Sequence, residues 1–326
     1  MRLLSLILPA ALGASLAAGA VPPADPGDAH ARIAAAESRV AAIGFRLATR
    51  NADWCDRRAP QLGWILGDRR LYTDAQWPAA RAAYTASDSD APFVAAIVPG
   101  GPADRAGLNI GDSLDPPGIA LSASGSAPHA RIDAVERWVS SRGARIEVQL
   151  SVNGKMRSIA PTPGCYGDFR VEATAALNAA ADGRVVKIPA GLAALFARDD
   201  ELAAVVAHEL AHNILSHRER LDAAGVPPDR RRLSKRDQER IRLTEVDADA
   251  LSVWLLAGAG FDPNAALSMW DRLARAKGPQ LFPAATHPSH KVRSALLRAN
   301  IDAMTTARAR NPAARPPMID APRALQ

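Results

Sequence analysis

The sequence predicts an α+β protein in which a small β-rich unit precedes a mainly helical C-terminal half. Its 326 residues are 48% hydrophobic and 23% charged, which is typical of a globular chain with about two domains. Strand-like runs separated by Gly/Pro turns lie between residues 85 and 162, and good helix formers dominate beyond residue 163. A chain disordered throughout and a small disulfide-stapled scaffold are both excluded.

The first twenty residues have the layout of a secretory signal peptide. A basic start at Arg2 precedes an apolar run from Leu3, and small residues stand at Ala18 and Ala20. The alternative is an uncleaved membrane anchor, because the run reaches the roughly 18 residues that a spanning helix needs. We expect residues 1–20 to be removed and the protein to be exported, to the periplasm or cell envelope of a Gram-negative bacterium.

The two cysteines, Cys55 and Cys165, lie far apart in the sequence. In an oxidising compartment we expect one disulfide between them. Two unpaired thiols are the alternative. Neither cysteine has a second Cys or a His at metal-ligand spacing, so a cysteine zinc site is not expected.

Four segments follow the leader. Residues 21–84 hold a helix over His30–Arg50 and an irregular stretch. The run FVAAIVPGGPADRAGLNIGDSL, a helix over Ile132–Ser141 and a hairpin turning at Asn153-Gly154 come next. This order resembles a bacterial PDZ domain over residues 85–162, a type that binds an extended chain end beside a sheet edge. A small β-domain that only packs on its neighbour is an equal alternative. Residues 163–310 are mostly helical, and 311–326 read as a flexible tail.

The candidate chemistry begins at His208-Glu209-Leu210-Ala211-His212, inside a predicted helix over Glu201–His217. Positions four apart share one helix face, so both imidazoles can reach one metal ion while Glu209 can act on a water beside it. A chance HExxH in a chain with 7 His and 34 acids has a probability of at most roughly 0.02. His217 is about 140° further round the helix, at about 100° per residue, and is interpreted as a structural or ligand-orienting histidine.

A second predicted helix, Ile241–Leu256, offers a third ligand. Glu245 and Asp249 are four residues apart and share a face, whereas Asp247 points roughly the other way. We predict that Glu245 completes a His/His/Glu zinc site and that Asp249 orients a ligand histidine through its other ring nitrogen. A solvated acidic face is the alternative, but apolar neighbours such as Val253 and Trp254 argue against it.

Together HELAHNILSH, EVDADALSVW, GFDP and THPSHKVR resemble metallopeptidase family 48, an HExxH gluzincin family, over roughly residues 165–305. The resemblance implies a zincin-type fold for residues 163–310, one Zn²⁺ held by His208, His212 and Glu245, and catalysis by Glu209. The PDZ-like stretch in front resembles a subset of exported bacterial members. The family usually has Glu where this chain has Asp247, and this departure does not touch a ligand.

The THPSHKVR motif adds two candidate residues. By resemblance, His287 is a switch ligand that can reach the zinc and close the site, and Arg293 is a cation beside the scissile carbonyl. Either could stabilise an oxyanion. A loop histidine and a surface arginine are the alternatives. The resemblance also implies that a strand at Arg184–Ile188 offers an edge to an extended substrate.

These features predict a polypeptide partner, drawn from exported and misfolded or unassembled envelope proteins. Glu209 would help to hydrolyse it by accepting a proton and returning it. The rival interpretation is a peptide-binding chaperone whose zinc is structural or latched by His287. The Arg-rich segment 218–242 reads as a solvated loop, with a lid or a contact to anionic lipid as the sharper hypothesis. No motif supports nucleic-acid binding.

Overall fold

The computed structural model describes residues 26–227, 233–278, 286–321 and 323–325. The predicted signal peptide lies outside these ranges. The helices are α1 Pro26–Arg50, α2 Trp77–Tyr84, α3 Pro102–Arg105, α4 Ala130–Ser140, α5 Ala190–Leu195, α6 Asp199–Ile214, α7 His217–Ala223, α8 Lys235–Gly258, α9 Ala265–Lys277, α10 His290–Arg310 and α11 Pro317–Asp320. The strands are β1 Arg58–Gln61, β2 Trp64–Gly67, β3 Phe93–Ile97, β4 Leu114–Asp115, β5 Val148–Val152, β6 Lys155–Ile159, β7 Thr162–Cys165, β8 Asp168–Glu172, β9 Ala180–Ala181 and β10 Val185–Pro189.

The strands form small sheets, and the helices supply most of the framework. β1 pairs with β7, β2 with β3, and the two three-stranded sheets have the orders β4-β5-β6 and β8-β10-β9. The predicted α+β class is confirmed. The hairpin predicted at Asn153-Gly154 is present, with Val152 opposite Lys155. Both turn residues have positive φ, which suits a tight hairpin.

Helix α1 packs against elements of both halves of the chain. Its apolar face, with Val40, Ile43 and Leu47, is buried, as the predicted amphipathic spacing requires. The helix contacts α6 and β8 on one side and β3 of the β-rich unit on the other. Gly44 allows the close approach to β8, because a Cβ there would lie 2.6 Å from the ring of Phe169. This helix thereby links the β-rich unit to the C-terminal helices.

Among the residues that the structure describes, buried apolar side chains form two separate hydrophobic cores. The larger one joins α1 to α6, α8, α9 and α10. The smaller one lies in the β-rich unit and includes Val94, Leu114 and Ile159, together with Leu62 and Leu66 from ahead of residue 85. A compact β-rich unit therefore exists, while its PDZ-like identity and the boundaries at 85–162 and 163–310 stay predictions.

The predicted disulfide between Cys55 and Cys165 is confirmed, with the two Cα atoms 5.3 Å apart. It lies beside the β1–β7 pair, in which Arg58 is opposite Cys165. The bridge therefore ties the N-terminal segment to the start of the C-terminal half.

The C-terminal segment, predicted as a flexible tail, has defined contacts. Met318 and Ile319 pack against the larger core. Arg323 Nε lies 2.9 Å from Asp247 Oδ1, on α8. Among the described helices, none has the length and apolar character needed to cross a bilayer.

Candidate metal centre

Helix α6 carries the HExxH sequence through the larger core. Acidic residues fill its first turn at Asp199, Asp200 and Glu201, where the helix dipole favours negative charge. The predicted continuation to His217 is wrong: the helix ends at Ile214, because Ser216 adopts a left-handed backbone conformation with φ 50°. A new helix, α7, begins at His217.

The structure brings His208, His212 and Glu245 together. One ligand atom from each lies within 4.8 Å of the others. The two Nε2 atoms are 3.3 Å apart, and the Glu245 carboxylate lies 3.5 Å from His208 Nε2 and 3.6 Å from His212 Nε2. Two turns of α6 and one face of α8 therefore converge on a single point, as the spacing predicts.

The other ring nitrogens also face partners. Asp249 Oδ1 lies 3.0 Å from His208 Nδ1, at the position predicted for an orienting carboxylate. His217 Nδ1 lies 2.9 Å from His212 Nδ1. The break at Ser216 turns His217 back toward His212, which helical phase alone could not predict. Both imidazoles are thus held with Nε2 toward Glu245.

Arg293 lies within the candidate site, against two of its carboxylates. Its side chain is buried, with Nη2 donating to Glu245 Oε2 at 2.9 Å and Nε 2.7 Å from Asp249 Oδ2. Its guanidinium lies 3.8 Å from the ring centroid of Trp270. A guanidinium enclosed by two carboxylates and an indole is not the surface arginine of the alternative interpretation, and its role as a cation beside a scissile carbonyl stays a prediction.

His287 lies at the edge of the same cluster. Its Nε2 is 3.5 Å from Glu245 Oε2, and its side chain is 39% exposed. Its Nδ1 lies 3.0 Å from the hydroxyl of Thr286. The THPSHKVR motif therefore approaches the three candidate ligands. Glu209, the predicted catalytic residue, follows His208 on α6 and is half-buried.

The buried histidines and carboxylates of this cluster shift one another's pKa values. Burial disfavours a charged imidazole, but the carboxylates of Asp249 and Glu245 outweigh burial and raise the pKa of His208 to about 10. Burial would raise the pKa of Glu245, yet the nearby imidazoles hold it well below its usual range. For His217, burial and the neighbouring His212 lower the pKa to about 2. The two acids therefore favour positive charge at the point where the Nε2 atoms meet.

A cleft open to solvent, with a cavity volume of about 90 Å³, adjoins the candidate ligands. His212, Glu245 and Ala181 of β9 are among the residues that line it. The strand predicted at Arg184–Ile188 is present as β10, but the expectation that it offers an edge is wrong. It is the central strand, parallel to β8 and antiparallel to β9. Among the described strands, β9 is the edge on the cleft side.

The Arg-rich segment 218–242 is only partly described, since residues 228–232 lie outside the described ranges. Within the described part, arginines pair with nearby acids: Arg218 with Asp222, Arg240 with Asp237, and Arg242 with Glu239. The lid and lipid-contact hypotheses for this segment stay predictions.

Comparison with known proteins adds an independent observation. Residues 156–226 match Peptidase family M48. The M48 match includes the HExxH sequence of α6 and ends before α8, so Glu245, His287 and Arg293 lie beyond it. The chain is also 33% identical over 121 residues to the mitochondrial metalloendopeptidase OMA1 of Schizosaccharomyces pombe, covering 29% of this chain and 34% of OMA1. The matched region thus spans about a third of that relative. The two matches support the M48 family and a metallopeptidase.

Proposed function

We propose that this protein is a zinc-dependent endopeptidase. The observation that carries the proposal is the convergence of His208, His212 and Glu245 on one point at the wall of an open cleft. Two imidazoles and one carboxylate form a three-ligand set that is typical of catalytic zinc, which takes a water or substrate as its fourth ligand. The M48 match, which contains HExxH, supports the same activity.

The three candidate ligands fit a divalent cation, both in their donor atoms and in the side chains that hold them in place. Both Nε2 atoms face the shared point while Asp249 and His217 hold the opposite ring nitrogens. Two buried acids, Glu245 and Asp249, face one buried guanidinium. With both ligand histidines neutral, as metal binding requires, one negative charge is left for a metal to balance. Zn²⁺ would be held by His208, His212 and Glu245.

When bound, zinc would supply Lewis acidity, which acidifies water and polarises a peptide carbonyl. The work of the protein is positioning and proton transfer. The Glu209 carboxylate accepts a proton from the attacking water and returns it to the leaving amine. Arg293 keeps Glu245 and Asp249 in place. The exposed edge of β9 is the candidate support for an extended substrate main chain, which favours broad sequence specificity.

A latched resting state is a second candidate, favoured by the position of His287. Its Nε2 lies 3.5 Å from Glu245 Oε2, close enough for a small movement to bring it to the metal. If His287 occupied the coordination position that water needs, the protein would bind peptides without cleaving them. This is the peptide-binding chaperone alternative, and removing the imidazole separates it from a constitutive peptidase.

We also propose that the natural substrates are misfolded or unassembled proteins of a bacterial cell envelope. The leader-like residues 1–20 support export. The disulfide between Cys55 and Cys165 suits an oxidising compartment. Fractionation of cells producing the full chain, with and without Ala18 and Ala20 replaced by bulky residues, tests this location; cytosolic recovery of both forms contradicts it.

The activity is tested with a quenched casein-derived peptide. Purified protein with one equivalent of zinc should cleave the peptide, lose activity on chelation and regain it with zinc. The Glu209→Gln variant should bind zinc normally and lose about 10²–10⁴-fold in turnover, whereas Glu219→Gln on exposed α7 should not. Activity that appears only in His287→Ala establishes the latch. Cleavage by Glu209→Gln at the parental rate contradicts the proposal.

A further inference from the structure

The turn between β9 and β10 is attached directly to the metal helix. Asn213 follows His212 on α6, and its buried side chain makes two hydrogen bonds to this turn. Its Oδ1 accepts from the backbone N–H of Gly183 at 2.9 Å, and its Nδ2 donates to the backbone C=O of Arg184 at 3.1 Å. A single side chain therefore fixes two peptide groups of the turn, Asp182–Gly183 and Arg184–Val185, relative to His212.

The turn is itself held in one shape. Asp182 Oδ1 accepts from the backbone N–H groups of Arg184 at 3.1 Å and Val185 at 2.8 Å. Gly183 has φ 99°, a conformation that other residues rarely adopt. Because the turn is internally bonded, a shift at Gly183 moves Ala181 and the rest of β9 with it.

A second anchor holds the same turn from the β-rich unit. The Arg184 guanidinium pairs with Asp133 Oδ1 at 2.7 Å and Glu136 Oε2 at 3.0 Å, both on α4. Arg170 pairs with the same two acids, but its backbone belongs to β8 and not to the turn. The turn is thus fixed on one side by α6 and on the other by α4.

We propose that Asn213 is a positioning residue that sets the height of the β9 edge above the metal site, so that a peptide main chain paired with β9 lies with its carbonyl at the ligands. The inference deepens the proposed peptidase function and rests on it. Asn213 accepts from one peptide group of the turn and donates to another, so an alanine there leaves the Gly183 N–H unpaired. The Arg184 C=O keeps only its bond from the Asp168 N–H, at 3.0 Å, and the turn loses its tie to α6. Arg184 carries the same constraint to α4, which couples the β-rich unit to substrate binding.

The test compares Asn213→Ala with Asn51→Ala. Asn51 is an equally buried asparagine whose Nδ2 donates to the C=O groups of Leu47 and Leu255, at 2.9 and 3.0 Å, between α1 and α8. Both variants lose two buried hydrogen bonds, so they match in general destabilisation. The readouts are amide exchange at Gly183 and Val185, zinc affinity, KM and kcat, and binding of a fluorescent casein-derived peptide in a Glu209→Gln background.

In Asn213→Ala the turn amides should exchange faster, and the peptide should bind about tenfold more weakly. The KM should rise by the same factor. Its kcat and zinc affinity should stay within about twofold of the parent. Asn213→Asp keeps the acceptor for the Gly183 N–H, so its peptide affinity and turn-amide exchange should lie between those of the parent and Asn213→Ala. This variant preserves the test if the alanine variant fails to fold. Arg184→Met should weaken peptide binding more than Arg170→Met.

The outcomes distinguish failure of the peptidase function from failure of the positioning role of Asn213. Zinc-loaded parent protein that cleaves no peptide, before or after His287→Ala, contradicts the peptidase function, while peptide binding still tests the role of Asn213. Equal peptide affinity in Asn213→Ala and Asn51→Ala overturns the positioning role. Loss of zinc affinity in Asn213→Ala with unchanged peptide binding overturns it too, because Asn213 would then act on the metal helix alone.

Discussion

Replacing Asp249 by asparagine should weaken zinc binding without unfolding the protein. Asp249 Oδ1 lies 3.0 Å from His208 Nδ1, and its other oxygen lies 2.7 Å from Arg293 Nε. An asparagine keeps the size of the side chain and one acceptor oxygen for Arg293. It removes the negative charge of the carboxylate. That charge both fixes the orientation of the His208 ring and makes the ring a more basic ligand.

The expected loss can be stated in free energy. Changing a partner that orients a ligand typically costs 10–100-fold in metal affinity. This factor corresponds to about 1.4–2.7 kcal/mol. Competition against a chromogenic chelator measures the affinity, and thermal unfolding at saturating zinc should give the same ordering of variants, because a ligand that binds only the folded state stabilises it.

Asp247→Asn is the matched control for this measurement. Asp247 lies on the same helix and is equally buried, but it faces Arg323 instead of the metal site. It should leave zinc affinity within about twofold of the parent. If Asp249→Asn binds zinc as tightly as the parent, or if Asp247→Asn weakens binding more, the orienting role of Asp249 is refuted.

Three further predictions concern stability. Burial raises the pKa of Glu37 from 4.5 to about 8, so the folded state keeps a proton that the unfolded chain releases; stability should fall by at most roughly 5 kcal/mol from pH 4.5 to 8 and then level off, and a Glu37→Gln variant with the same slope contradicts this. Removing the disulfide by Cys55→Ser with Cys165→Ser, which opens a loop of 110 residues, should cost about 4 kcal/mol in urea unfolding, and an unchanged midpoint contradicts it. Gly44→Ala places a methyl 2.6 Å from the Phe169 ring and should cost about 1–3 kcal/mol, whereas a more stable variant would show that this contact relaxes.

Local periodicity was enough to predict much of the site. His208, His212, Glu245 and Asp249 obey the four-residue spacing of a single helix face, and both helices form where their sequences favour them. The metal-ligand geometry depends on those local patterns plus one helix–helix contact. For that reason the sequence alone predicts that His208, His212 and Glu245 lie close together.

Other features depend on distant pairing and were not predictable. β10 is a central strand because Val185 pairs with Asp168, and no local pattern records such a parallel partner. Arg293 is buried because α10 packs on α8 and α9, which brings its guanidinium between Glu245 and Asp249. His217 contacts His212 only because the backbone turns at Ser216.

The central claim is that one zinc ion is shared by α6 and α8. Anomalous diffraction at the zinc absorption edge, from crystals of the full chain grown with one equivalent of zinc, tests it most directly. We predict one peak per chain, about 2.0–2.1 Å from Nε2 of His208 and of His212 and about 2.0–2.2 Å from the Glu245 carboxylate. A peak at other residues, or these three side chains in place with no peak between them, would contradict the account.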